Sequence, residues 1–255
     1  PIKNCAMKTN YYSCAWMITF FTTVAISQET NAQSACPNTN FSNLNFSSWV
    51  GNTGNYNNPA LNGGIVPGRH TIFSAPAIDP NTCGGLNVIP HGETTSARLG
   101  NAGTGAQAEQ LLYSMVVNTQ NALFIYKYAV VLENPAGHAP NEQPEFSVRI
   151  LDNLGNPIGG NCGAYTVYGG QPGQNFQNCG GVTWLPWTTV GIDLTAFTGQ
   201  QVFIEFTTKD CSLSGHFGYA YISAGCSPLS LNMNYCAGDQ QITLQAPNGF
   251  QQYTW

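Results

Sequence analysis

The chain has 255 residues and 27.3 kDa, room for one large β domain or one and a half ordinary ones. Only 7% of residues are charged, while 27 Asn and 16 Gln supply the polar surface and 28 Gly and 15 Pro supply turns, a mixture that argues against a helical intracellular protein, a coiled coil or a disordered acidic tail. The net charge of −5 and the lack of any Lys/Arg run leave no footprint for nucleic acid.

Residues 1–6 precede a natural start at Met7 and read as a non-native extension. Met7-Lys8, the apolar run Ala15 to Ile26 and the small-residue segment to Ser34 form a secretory signal peptide over 7–34, cleaved after Ala32 or Ser34. The apolar run is too short for the roughly 20 residues of a spanning helix. Gln33 sits where a lipoprotein signal ending at Cys36 would carry an apolar residue. The expected location is therefore outside the cell, secreted or on its surface.

From 35 to 226 the pattern is that of short strands. ALFIYKYAVVL (122–132) is almost continuously apolar, as a central strand should be. EFSVRIL places Phe146, Val148 and Ile150 on one face, and QVFIEFTT does the same for Val202, Ile204 and Phe206. GYAYIS (218–223) closes the domain. Between them stand NPAGH, DNLGNPIGGN and GGQPGQ, all turn chemistry. A single helical turn fits only GAQAEQLL, and the LLYSMVV beside it reads as strand. The fold class is all-β, an antiparallel jelly-roll β-sandwich. After Cys226 the texture changes. Residues 227–255 hold Cys236, the strand QITLQA and a terminal Trp255, which read as the truncated start of an Ig-like domain.

Seven cysteines follow the signal peptide, and six of them fall in 36–226. With no C-x-x-C and no C-x-H cluster, they read as disulfides rather than zinc ligands. Cys162–Cys179 flanks one Gly/Tyr/Gln-rich loop, Cys36–Cys226 would tie first strand to last, and Cys83–Cys211 follows by elimination.

RLGNAGTGAQAEQLLYSMVV, LFIYKYAVVLENPAGHAPNEQPEFSVRILD, WTTVGIDLTAFTGQQVFIEFTTKDC and GHFGYAYISAGC together resemble the amino-terminal module of large secreted adhesin-like proteins of Bacteroidetes, the gliding-motility-associated and type IX secretion cargo proteins. The resemblance covers about 36–226. It implies a galactose-binding-like or MAM-like sandwich, export, and PKD or Ig-like repeats downstream. It carries over no catalytic residue.

A search for chemistry finds no G-x-S-x-G, H-E-x-x-H or P-loop. Glu142 and Glu145 are the nearest carboxylate pair, but Pro144 between them marks a loop entering a strand. His138 and His216 read as loop histidines, with His216 also a candidate ligand contact. Asp79 and Asp210, and more weakly Asp193, are candidates for a structural Ca²⁺, the one cofactor in view. Trp184, Tyr168, Phe176, Tyr165 and Asn175 lie in or beside the 161–184 loop as candidate sugar contacts. Period-two alternation puts Tyr165 inward and Tyr168 outward, and Trp187 reads as core. The expected function is a non-catalytic extracellular adhesion or recognition module with a glycan or cell-surface ligand. A secreted glycan-degrading hydrolase domain and a structural spacer are the alternatives.

Overall fold

The computed structural model describes residues 35–159, 163–230, 232–234, 241 and 243–247. The signal-peptide reading, Cys162 and most of the Ig-like reading lie outside them.

Fourteen strands run in chain order among the described residues: β1 (Trp49–Asn55), β2 (Asn58–Gly63), β3 (His70–Phe73), β4 (Ser96–Gly100), β5 (Gln107–Val116), β6 (Leu123–Glu133), β7 (Glu145–Leu151), β8 (Ala164–Tyr168), β9 (Gln177–Cys179), β10 (Val182–Asp193), β11 (Gln201–Lys209), β12 (Gly218–Ser227), β13 (Asn232–Asn234) and β14 (Thr243–Gln245). The first sheet has the order β2-β1-β5-β11-β7-β8 and the second β3-β4-β12-β6-β10-β9. All their pairings are antiparallel. Setting aside β1, β2, β3 and β9, β4-β12-β6-β10 faces β5-β11-β7-β8, and consecutive strands alternate between sheets except β7 and β8, which pair within the first. That is the jelly-roll order. β13 and β14 pair with each other separately.

Alternation decides which side chains enter the core. Phe146, Val148 and Ile150 of β7 and Val202, Ile204 and Phe206 of β11 point inward, against Phe124, Tyr126, Tyr128 and Val130 of β6. The opposite residues of β6, Ala129 and Val131, are also buried. Leu86, Val88 and Ile89 cover them from outside. This second layer explains why β6 reads as apolar on both faces: a covered sheet has no solvent side to mark with polar residues.

Two expectations are corrected. The GAQAEQLL helix is strand β5, because Leu111, Tyr113 and Met115 fill the core only at a period of two. Disulfides join Cys36 to Cys226 and Cys83 to Cys179. Neither Cys162–Cys179 nor Cys83–Cys211 forms, since Cys179 is taken by Cys83, and Cys211 is a buried free thiol. The Cys83–Cys179 bridge has a clear structural reason. It pins the 3-10 turn Pro80–Thr82, and with it the covering segment, to edge strand β9.

Candidate functional site

The outer face of the second sheet is partly roofed, whereas that of the first sheet carries a polar groove whose floor residues Gln110, Glu205 and Thr207 are themselves largely buried. Strand register assembles it: Asn52 of β1 stands opposite Gln110 of β5, then Thr207 of β11, Ser147 of β7 and Thr166 of β8. One row across five strands thus carries only amides and hydroxyls. Asn52 Nδ2 donates to Gln110 Oε1 at 2.8 Å, which fixes the first two.

Ion pairs bound this row on both sides. Glu145 faces Lys209 at 2.7 Å, and Glu205 faces Arg149 at 2.6 Å. Asn58, Pro59 and Ala60 of β2 raise one wall, and together with the two ion pairs and Gln110, Thr207, Ser147 and Thr166 of the row they line a groove of about 560 Å³. The wall stands close because Gly54 lets it. A Cβ there would meet the Asn58 carbonyl oxygen and the Pro59 backbone carbonyl carbon at under 3 Å. Lys209 also lies over the Tyr56 ring at 4.9 Å, and the Tyr56 hydroxyl donates to the Asn141 carbonyl. Burial, then nearby Glu145, holds that phenol up at about 12, so it stays a donor.

Sequence reasoning missed this groove. Its members are scattered over five strands, and each alone is an ordinary outward polar residue. Of the aromatic candidates, only Tyr168 comes near it: the residue faces outward and pairs with Glu145. Tyr165 instead points inward against Tyr128, with ring centroids 5.5 Å apart. Phe176 packs against the main core. Trp184 is 8% exposed and lies under the covering segment, where its ring occupies the space a Cβ on Gly85 would need. Trp187 packs beside it, its indole donating to the Asn87 carbonyl. Asn175 is exposed on the connection to β9, away from the groove. The 163–184 segment is therefore no single binding loop. It crosses from the edge of one sheet to the edge of the other.

The aspartates are structural pins. Asp79 is fully buried and accepts from the Tyr219 hydroxyl at 2.8 Å, the Tyr221 hydroxyl at 2.7 Å and the Asn81 amide at 2.8 Å. Burial, and then the adjacent carboxylate, push both phenols far up, so they remain donors. Asp210 accepts from the backbone amides of Gln107 and Gly218. Calcium needs lone pairs that these donors already hold at Asp79, whereas each Asp210 oxygen accepts a single backbone amide. Asp193 accepts from Thr195 and opens the 3-10 turn Thr195–Phe197. His216 stands elsewhere, beside Cys211 and His138.

Inward-facing Glu109 sits at the same end of the sandwich as Asp210. It is 1% exposed and bound to Arg69 Nε at 2.6 Å and to the Thr208 hydroxyl. Burial raises its pKa and Arg69 opposes the rise. Burial likewise brings the Asp210 carboxyl up to about 7.

No protein-family profile and no curated protein matches the chain. Solved structures do. The enzymatically active domain of bacteriophage CBA120 tailspike protein 4 is 14% identical, over 76% of this chain and 21% of that one, with a TM-score of 0.38. The chain thus spans about a fifth of that protein's length. TmCBM61, solved with β-1,4-galactotriose, is 10% identical over 77% of this chain and 100% of that one, at 0.39. CBM27-1 of Caldicellulosiruptor saccharolyticus, solved with mannohexaose, is 11% identical over 62% and 82%, at 0.31. Several of the similar structures are carbohydrate-binding modules.

Proposed function

We propose that the outer face of the first sheet binds a neutral carbohydrate chain and does not transform it. The observation that carries this reading is the cross-strand row Asn52, Gln110, Thr207, Ser147 and Thr166, closed on both sides by ion pairs. A sugar presents hydroxyls that both donate and accept. The row offers the same mixture, on a rigid sheet that costs little to order.

The charges support a neutral ligand. The chain has only 19 charged residues, and four of them face this groove, so they are not there for solubility alone. They are paired, two acids with two bases, and give the face no net charge. Paired groups keep free lone pairs and N–H groups for sugar hydroxyls without attracting a polyanion.

Catalysis finds no support at this face. Glu145 and Glu205 point outward from adjacent strands, with Glu205 four residues from the partner of Glu145. Four residues of strand span about 13 Å. Glycoside hydrolysis uses carboxyl groups about 5–9.5 Å apart. The resemblance to secreted Bacteroidetes proteins adds a setting, the cell surface. The two disulfides suit an oxidising compartment, and no helix among the described residues is long and apolar enough to cross a membrane.

The test is affinity electrophoresis and calorimetry of the chain against neutral galactans, mannans and mixed-linkage glucans. Binding to at least one, weakly dependent on salt, is expected. Gln110→Ala with Ser147→Ala should abolish it while the thermal midpoint moves by a few degrees at most. Retained binding in that double variant, or no binding to any neutral glycan, overturns the proposal.

A further inference from the structure

Cys211 belongs to no disulfide and is fully buried. It begins the turn that joins β11 to β12, so it lies where the chain passes between the two sheets. That turn is held by its own backbone: Cys211 N donates to the His216 carbonyl at 2.9 Å, and Gly215 N donates to Cys211 Sγ at 3.3 Å. The result brings His216 Nδ1 to 3.4 Å from the sulfur. A third group arrives from another part of the chain. His138, on the connection between β6 and β7, sets its ring edge-on to His216, with centroids 5.0 Å apart. One ligand atom from each of the three lies within 4.8 Å of the others.

Two features point to a ligand. His138 Nε2 is buried and has no hydrogen-bond partner, which is costly for an imidazole nitrogen unless something else satisfies it. Cys211 is a thiol kept apart from the disulfides of a cysteine-rich chain. Zn–N and Zn–S bonds of about 2.0 and 2.3 Å put tetrahedral ligand atoms about 3.3–3.5 Å apart. The Cys211–His216 contact already has that spacing, and the third ligand needs only a small approach.

We propose that His138, Cys211 and His216 form a binding site for one zinc-type divalent transition metal ion. A thiolate with two imidazoles selects the borderline ions and discriminates against calcium and magnesium, which prefer oxygen. Three protein ligands leave a fourth position for water or an external ligand. The thiol gives up its proton on binding, so metal uptake releases one proton to solvent. The imidazoles are half-buried while the sulfur is fully buried, so the ion enters from the histidine side. The site shares no residue with the carbohydrate groove.

The experiment uses the untagged chain, stripped with a chelator and titrated with Zn²⁺ against a chromophoric competitor, then with Co²⁺ as a spectroscopic probe. One ion per chain is expected, with a thiolate-to-cobalt charge-transfer band and tetrahedral visible bands. His138→Gln changes a half-buried loop residue and should weaken Zn²⁺ binding by about tenfold or more. Cys211→Ser should remove the charge-transfer band. Stoichiometric Co²⁺ binding without that band, unchanged affinity in His138→Gln, or peptide mapping that finds Cys211 oxidised to another cysteine overturns the proposal.

Discussion

Replacing Arg69 by Met should destabilise the protein by an amount that depends on pH in a way the geometry fixes. Arg69 Nε pairs with Glu109 at 2.6 Å, and its Nη2 donates to the carbonyls of Gly54 and Ala108. Removing it takes away about 4 kcal/mol of attraction, for unit charges about 4 Å apart at an effective dielectric of about 20. The variant has one escape, which is to protonate Glu109. At pH 7 this costs about 1.4 kcal/mol per pH unit over the interval down to the ordinary value of 4.5, or about 3.4 kcal/mol in all. The electrostatic part of the loss at pH 7 should therefore be about 3 kcal/mol, at the low end of the range for breaking a buried pair, with the lost hydrogen bonds added at every pH. Without Arg69 the folded-state pKa of Glu109 rises further above its unfolded value. The neutral carboxyl is then what stability depends on, so the variant keeps its stability below pH 4.5 and loses it as pH rises. Asp210, already up at about 7 through burial, loses the same cation and moves in the same direction. Near pH 4.5 the charge attraction falls away and the deficit shrinks to the lost hydrogen bonds of Arg69, two to carbonyls and one to Glu109. Urea unfolding of both proteins at pH 4.5 and pH 7 reads the difference directly. A deficit equal at the two pH values, or below about 1 kcal/mol at pH 7, would refute the buried-charge account.

Peptide mapping without reduction should recover Cys36–Cys226 and Cys83–Cys179. Cys83→Ser should cost about 2–5 kcal/mol, with proteolysis beginning in the freed 80–95 segment. Trp184→Ala should cost about 3–5 kcal/mol through the cavity it leaves and should not alter glycan affinity at temperatures where the variant stays folded; a loss of affinity without loss of stability would place the indole in a binding surface instead.

Much of the sandwich is legible in the sequence, because alternation is a local signal. Phe146, Val148 and Ile150 announce a half-buried strand without reference to anything else. The run Ala122 to Leu132 announces a strand covered on both faces, though not what covers it. The covering segment has no periodicity of its own, so Cys83–Cys179, which exists to hold it down, could not be read. Gln107 to Leu112 misleads because Ala, Glu, Gln and Leu are good helix formers, and tertiary burial overrides that preference. Trp184 and Tyr168 show how little sequence says about the outward faces of strands. One is roofed and the other open, and only the partner segment decides which. The groove and the His138–Cys211–His216 cluster are illegible for a related reason. Both are made by register and by chain reversal between sheets, so their members are far apart in sequence. The Cys211 and His216 spacing, C-x4-H, was the one local hint.

The Cys36–Cys226 bond brings residues 190 positions apart to a Cα separation of 5.7 Å. Tension applied to the chain outside these two cysteines would pass from one to the other through sulfur. The sandwich between them would bear none of it. About 650 Å of polypeptide contour is thereby withheld from extension, even if every sheet hydrogen bond were lost. For a chain held at one end and pulled at the other, the bond acts as a mechanical bypass: the load runs past both sheets without deforming them.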